Sequence, residues 1–249
     1  MSAEFISKSR ASFEALRSAN LLKSLNINAL IIGEEGVGKT TLAKYIIDAP
    51  VVDAQEGIET IVKSLQEGSD LIIKNFDKIL HFDILEKELK QHKNRIIATS
   101  RKDIYEKISD KFFSLKINLP PLRERSEDIS LLSKKFFNEI VSLFSIGDSL
   151  ELDDIHLDIS RNCHSLKESV YKAVVESVLD EDDIMRILEN ILSTKIGSKD
   201  DYRKNLYLYE IPLIKAGKKR FKSQSKMAEE FGINRNTLRK KINEYNLKI

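Results

Sequence analysis

The chain has 249 residues, 41% hydrophobic and 32% charged, with a formal net charge of +2 and one cysteine, Cys163. That length suffices for one large domain or two smaller ones with real cores, and no apolar run approaches the ~18–20 residues a membrane helix needs. One cysteine excludes an internal disulfide and a multi-cysteine zinc site. Residues 1–17 mix charged and apolar side chains without the apolar centre of a signal peptide, so a cytoplasmic, reducing setting is expected.

In chain order, residues 28–32 form a short apolar run ending at Gly33 and read as a buried strand feeding a glycine-rich turn. Residues 39–48 are a helix. Residues 50–52 start a second strand, and 58–66 have helical periodicity. A third strand at 71–73 precedes a helix over 79–90. A fourth strand at 95–99, a helix over 104–111 and a fifth strand at 115–119 follow, ended by Pro120 and Pro121. Strands alternating with helices predict an α/β domain, a parallel five-stranded sheet with helices on both faces. Beyond Pro121 the strand signal fades into amphipathic helices over 129–144, 166–178 and 183–192, a small helical lid. Residues 196–204 are polar and read as a linker, and a last helical region runs from Asn205 to the end. The expected boundaries are 1–122, 123–196, 197–204 and 205–249.

Residues 33–40 read Gly-Glu-Glu-Gly-Val-Gly-Lys-Thr, the G-x-x-x-x-G-K-[ST] pattern, after a strand and before a helix. The glycines let backbone N–H groups turn inward on phosphate oxygens, Lys39 supplies a cation for the terminal phosphates, and Thr40 offers a hydroxyl to Mg2+. The positive end of the following helix points at the same place. The nucleotide-binding set is therefore Gly33, Glu34, Glu35, Gly36, Val37, Gly38, Lys39, Thr40 and Thr41, with ATP or ADP as ligand. The alternative is a structural turn that no longer binds. Hydrolysis calls for acids at the end of the third strand, and Lys74 and Asn75 stand there instead. Asp77 lies three residues further on; it reads either as a substitute acid reached by rearrangement or, more simply, as a cap of the following helix.

Charge is unevenly spread. Residues 215–249 carry eleven Lys or Arg against three acids, about +8, which leaves about −6 on the rest. This points to a nucleic-acid-facing tail or, more blandly, a solubilising one. Within it, residues 224–231 read as a short helix with Ala228 at a close crossing, Gly232 supplies a left-handed turn, and 234–245 form a second helix. Leu238, Ile242 and Tyr245 share the inner face, leaving Asn234, Arg235, Thr237, Arg239, Lys240 and Lys241 outside. That pattern is a DNA-reading helix, or else a basic helix docked on a protein.

Residues 119–129, LPPLRERSEDI, resemble the LPPLRER-x-EDI signature of NtrC-like bacterial enhancer-binding proteins, the AAA+ activators of sigma-54 RNA polymerase. Residues 33–40 look like that family's Walker A, 95–100 resemble its sensor I strand, and 162–166 (NCHSL) are similar to its sensor II segment. The string GINRNTLRKKINEY resembles the Fis-type helix-turn-helix that closes such chains. The resemblance covers about residue 20 to the end, with no amino-terminal receiver or ligand-sensing domain expected. It implies that Asn234 and Arg235 meet base edges in the major groove. Thr237, Arg239, Lys240 and Lys241 would mostly hold phosphates, with Asn236 in the same DNA-binding set. It also implies dimerisation through the helix holding residues 207–214, and hence a two-fold site on double-stranded DNA.

Departures from the family pattern bear on activity. The family's Gly-Ala-Phe-Thr-Gly-Ala loop, which touches sigma-54, has no counterpart in the 33 residues between Thr40 and Lys74. Its two arginine fingers align with Tyr105 and Lys111, and its sensor II arginine with His164. Arg123 and Arg125 read as ion-pair partners of Glu124, Glu127 or Asp128 rather than as replacement fingers. His164 reads as a helix-end residue and Cys163 as a small apolar packer. The acids over 180–183 read as a solvated turn and helix start rather than a calcium loop. With the charged groups of phosphoryl transfer missing, little or no turnover is expected, and no catalytic residue is assigned. The leading expectation is a DNA-binding transcriptional regulator with a nucleotide-binding AAA+ body that does not remodel sigma-54 polymerase. It would be a homo-oligomer, at least a dimer, open to mixed assembly with related activators, and without a membrane partner. The alternatives are a working ATPase acting on transcription or DNA, and a non-enzymatic oligomerisation scaffold.

Overall fold

The structure, a computed structural model, describes residues 4–104, 106–144 and 156–247. Helix α1 (Arg10–Ser24) leads into β1 (Ala29–Ile32), α2 (Lys39–Ile46), β2 (Val51–Asp53), α3 (Ile58–Gln66) and β3 (Leu71–Lys74). Next come α4 (Phe82–His92), β4 (Ile96–Ser100), α5 (Glu106–Phe112) and β5 (Leu115–Asn118). All strand pairings are parallel and the order is β2-β3-β4-β1-β5. This is the parallel five-stranded sheet that the alternation of strands and helices predicts.

Because strand residues alternate between faces, the sheet sorts its apolar residues into two cores. Leu30, Leu71, Ile73, Ile96 and Ala98 face one core with Ile61, Leu65, Leu85 and a cluster of aromatic rings. There Phe76 and Phe113 meet edge-on, centroids 4.8 Å apart. Ala29, Ile31, Ile72, Ile97 and Ile117 face the other core, against Leu22, Leu42 and Ile46. Helix α1, absent from the sequence reading, lines this second face. Its buried residues are Ser12, Ala15, Ala19 and Leu22, mostly small or polar, so it lacks the apolar stripe that announces a helix.

Helices α6 (Ser126–Phe144) and α7 (Cys163–Val178) complete the first compact unit, which ends at Val178. The second unit, from Leu179, holds α8 (Glu181–Ser193), α9 (Asp201–Asn205), α10 (Tyr207–Arg220), α11 (Gln224–Glu230) and α12 (Arg235–Glu244). Asp180 caps α8 by accepting from the Asp183 N–H at 2.8 Å, the turn-and-helix-start role expected of that acidic stretch. Part of the expected linker is ordered into α9, whose Asp201 carboxylate gathers the N–H groups of Gly197 and Ser198 at 2.7 and 2.9 Å. The core of this unit is Ile214, Met227, Ala228, Leu238 and Ile242. No helix among the described residues is long and apolar enough to cross a membrane.

Candidate nucleotide and nucleic-acid sites

The glycine-rich loop leaves the C-terminal end of β1. Gly36 and Gly38 both take positive φ, 78° and 100°, where a side chain would be strained. Gly36 is also pressed close: an added Cβ would lie 2.6 Å from the Arg161 carbonyl oxygen. Helix α2 opens at Gly38 with no side-chain cap, which leaves its first N–H groups for an anion. Lys39 folds back over the loop, donating to the carbonyls of Gly33 and Glu34 at 2.8 and 2.6 Å. Burial, with the neighbouring Arg101 charge, pulls its amine down to about 8.

The LRER segment braces this loop; Arg125 pairs with Asp128, one of the expected acids, and Arg123 adds a partner outside the expected set. Arg123 grips Glu34 of the loop through two hydrogen bonds of 2.9 and 2.6 Å; Glu124, an expected partner, lies 4.0 Å away. That grip holds the Glu34 carboxyl at about 2, so it stays ionised. Arg125 is 1% exposed, donates to the Val37 carbonyl at 2.9 Å and pairs with Asp128 at 3.5 Å. Asp128 in turn accepts from the N–H groups of Lys8 and Ser9 at 2.6 and 2.8 Å, which ties the start of α1 to the same node.

Asn162, just before α7, clasps loop and lid together. Its side chain accepts from Leu122 N–H at 2.6 Å and donates to the Glu35 carbonyl at 2.8 Å. The Cys163 N–H reaches the Gly36 carbonyl at 3.1 Å, and burial pushes the Cys163 thiol up. His164 stands in the first turn of α7, a helix-end residue as expected, and lines a cavity of about 300 Å3 with Glu34, Glu35, Ser160, Arg161 and Asn162.

At the tip of β3, Lys74 and Asn75 do not face the loop. Both turn to Asp53 at the end of β2, Lys74 at 3.4 Å and the Asn75 amide at 2.8 and 2.9 Å. Asp77 does not cap α4, whose N-cap is His81 and which has no side-chain cap. Its carboxylate instead accepts from the Ser100 hydroxyl at 3.1 Å and the Arg101 N–H at 3.3 Å, because a one-turn 3-10 helix at Phe76–Lys78 swings it toward β4. Arg101, at the end of β4, pairs with loop residue Glu35 at 2.5 Å. Lys111, at an expected finger position, is engaged by Glu86 at 2.7 Å; Tyr105, the other, lies outside the described residues. No cluster of three metal-ligating side chains occurs among the described residues. The uncapped helix start and the arginine-neutralised Glu34 and Glu35 fit a phosphate chain. For a magnesium ion, the candidate oxygens are the Thr40 hydroxyl and Asp77.

In the second unit, Ser223 caps α11 and Asn234 caps α12, accepting from Lys226 and Asn236 N–H at 3.2 and 2.8 Å. Gly232 between them has φ 65°. Leu238 and Ile242 are buried, and Asn234, Arg235, Asn236, Thr237, Arg239 and Lys240 are exposed. Lys241 departs from the expected DNA-facing set. It turns to Glu210 of α10 at 2.5 Å, and the same carboxylate takes the Tyr245 hydroxyl at 2.6 Å. That bond pushes Tyr245 up to about 12. A residue one helical step from the outer edge can thus serve the fold, and sequence spacing alone does not separate the two.

Residues 210–245 match the family model of the bacterial regulatory proteins of the Fis family. The C-terminal unit carries a Fis-type helix-turn-helix. α11, the Gly232 turn and α12 form this Fis-type module, and α10 supplies its Glu210 clamp. The whole chain also aligns with crystal structures of NtrX from Brucella abortus, which share its fold. The complex with ADP is 17% identical, covering 97% of this chain and 69% of that one, with a TM-score of 0.61. The complex with ATP gives 16%, the same coverages and a TM-score of 0.57. A protein of Geobacillus stearothermophilus named limonene hydroxylase is 24% identical over 95% of this chain. The chain spans 55% of that relative's length.

Proposed function

We propose that this chain is a sequence-specific DNA-binding transcriptional regulator whose AAA+ body binds ATP or ADP as a structural or regulatory ligand and is hydrolysis-deficient. The observation that carries it is the exposed edge of α12: Arg235, Arg239 and Lys240 stand outward on a helix anchored by buried Leu238 and Ile242. Arg235, in the first turn, is the base reader, able to pair bidentately with guanine. Asn234 spends its oxygen as a cap. Thr237, Arg239 and Lys240 hold phosphates, with Asn236 beside them. DNA footprinting tests the assignment: Arg235→Ala should lose site choice while keeping general affinity, and unchanged protection would remove Arg235 from base contact.

The nucleotide half of the reading rests on Gly36, Gly38 and Lys39, and is supported by the likeness to structures solved with ADP and ATP. Lys39 and the N–H groups of α2 would hold the phosphates, with Mg2+ on Thr40. When bound, magnesium would neutralise phosphate charge; the chain's own part is to orient and desolvate the phosphates. Lys39→Ala should abolish nucleotide binding in a titration of the full chain. Absence of the sigma-54 contact string from residues 41–73 supports a role other than remodelling that polymerase. A homo-oligomer, at least dimeric, on a two-fold DNA site, open to mixed assembly with related activators, completes the proposal. A working ATPase is the second reading, favoured by Asp77 at the β3–β4 tips beside Ser100. Steady-state turnover with DNA present that Lys39→Ala and Asp77→Asn both abolish would establish it over the first.

A further inference from the structure

Helix α12 carries cations of two kinds. Arg235, Arg239 and Lys240 are exposed, whereas Lys241 is half-buried. Lys241 nonetheless stands one turn beyond Thr237, which is assigned to phosphate, and residues four apart share a helix face. Its flexible four-carbon stem could carry the amine outward from there. What turns it inward is Glu210, in the first turn of α10. The two carboxylate oxygens divide their partners: Oε1 takes the Lys241 amine at 2.5 Å, and Oε2 takes the Tyr245 hydroxyl at 2.6 Å. The Lys241 and Glu210 side chains are 28% and 12% exposed, so water and salt screen this pair less than a surface pair.

We propose that Glu210 restrains DNA affinity by withholding Lys241 from the phosphate backbone. The energetic ordering supports a pair that stays closed on DNA. If Lys241 left for a phosphate, the carboxylate of Glu210 would stay behind, largely shielded from water, without its cation. An unpaired charge in such a place costs more than an exposed contact returns. Phosphate contacts supply the part of affinity that is indifferent to sequence and sensitive to salt. Base reading, assigned to Arg235 in the first turn of α12, is untouched by the clamp in its last turn. Glu210 is therefore a positioning residue: through Lys241 it sets how much of the binding comes from the backbone of the DNA, without itself meeting DNA.

This inference rests on the DNA-binding reading, and one experiment separates their failures. The affinity of the full chain for a duplex of random sequence is measured over a range of salt for wild type, Lys240→Gln, Lys241→Gln, Glu210→Gln and the Glu210→Gln, Lys241→Gln double variant. The slope of log affinity on log salt counts phosphate contacts, at about 0.9 for each. Lys240→Gln should flatten the slope by about 0.9 per bound chain. Lys241→Gln should leave it within about 0.3 of wild type, a third of one contact. Glu210→Gln keeps an oxygen for the Tyr245 hydroxyl but releases the lysine. Its slope should steepen by about 0.9, with binding several times tighter at low salt. The double variant should lose that gain and match Lys241→Gln. A Glu210→Gln slope no steeper than wild type, or a gain that survives in the double variant, overturns the restraint. Should Glu210→Gln fail to fold, Lys241→Gln decides alone: a slope flattened as far as by Lys240→Gln would place Lys241 on phosphate already and overturn the restraint. No binding by wild type, or no flattening by Lys240→Gln, overturns the DNA-facing reading of α12 and takes this inference with it.

Discussion

In the proposed nucleotide site Lys39 is the cation for the terminal phosphates, and its environment makes that role depend on pH. An ordinary lysine keeps its charge to 10.5; burial brings this one to about 8. The amine is cationic below that value and becomes neutral as pH rises through it. Phosphate binding needs the cation, so ADP affinity should fall severalfold between about pH 7 and about pH 9. Lys39→Arg, charged throughout, should flatten that fall; a calorimetric pH series checks both. A different dependence surrounds Asp128. Its carboxylate faces the buried Arg125 and two backbone N–H groups, so Asp128→Ala strands a guanidinium in the core. Breaking such a pair costs about 3–5 kcal/mol, readable as a lowered urea midpoint. The Arg125–Asp128 pair was legible in the sequence; the bonds from Lys8 and Ser9 to Asp128 and the Arg123–Glu34 grip were not. Each joins residues 89 or more positions apart, and local patterns carry no information about which distant charges a fold brings together.

Elements with a regular apolar period were legible; those without one were not. Strands β1, β3 and β4 announce themselves as runs of Leu, Ile and Ala bounded by turn residues, and α12 shows its inner face at Leu238 and Ile242. Helix α1 escapes because it packs through Ser12, Ala15 and Ala19. The turn of the helix-turn-helix is set by Gly232 at φ 65°, with no neighbour to obstruct a side chain. Gly232→Ala should therefore cost about 1 kcal/mol from backbone strain alone, seen as a lower melting temperature of the C-terminal unit. Gly232→Asn should cost less, since asparagine tolerates that conformation. The phosphate loop pattern was equally plain. The swing of Asp77 to Ser100 was not, because it depends on a one-turn 3-10 helix and on a left-handed Asn75 at φ 54°.

The whole molecule joins a body that carries the glycine-rich loop to a basic unit that carries the Fis-type helix-turn-helix. The second unit leaves Ile184, Met185, Ile187 and Ile191 of α8 exposed, beside an apolar groove of about 290 Å3 lined by Leu188, Leu192, Leu206 and Tyr209. A second copy covering this face would give the two-fold assembly proposed above. Ile187→Glu combined with Ile191→Glu should then shift the chain toward monomer in sedimentation and weaken DNA binding without unfolding α12. The central claim is that α12 reads sequence. Its most direct test is selection of duplexes from a random-sequence pool by the full chain. The account predicts an enriched motif with two-fold symmetry that Arg235→Ala fails to enrich. A pool that stays random under wild-type selection, or the same motif recovered by Arg235→Ala, would contradict it.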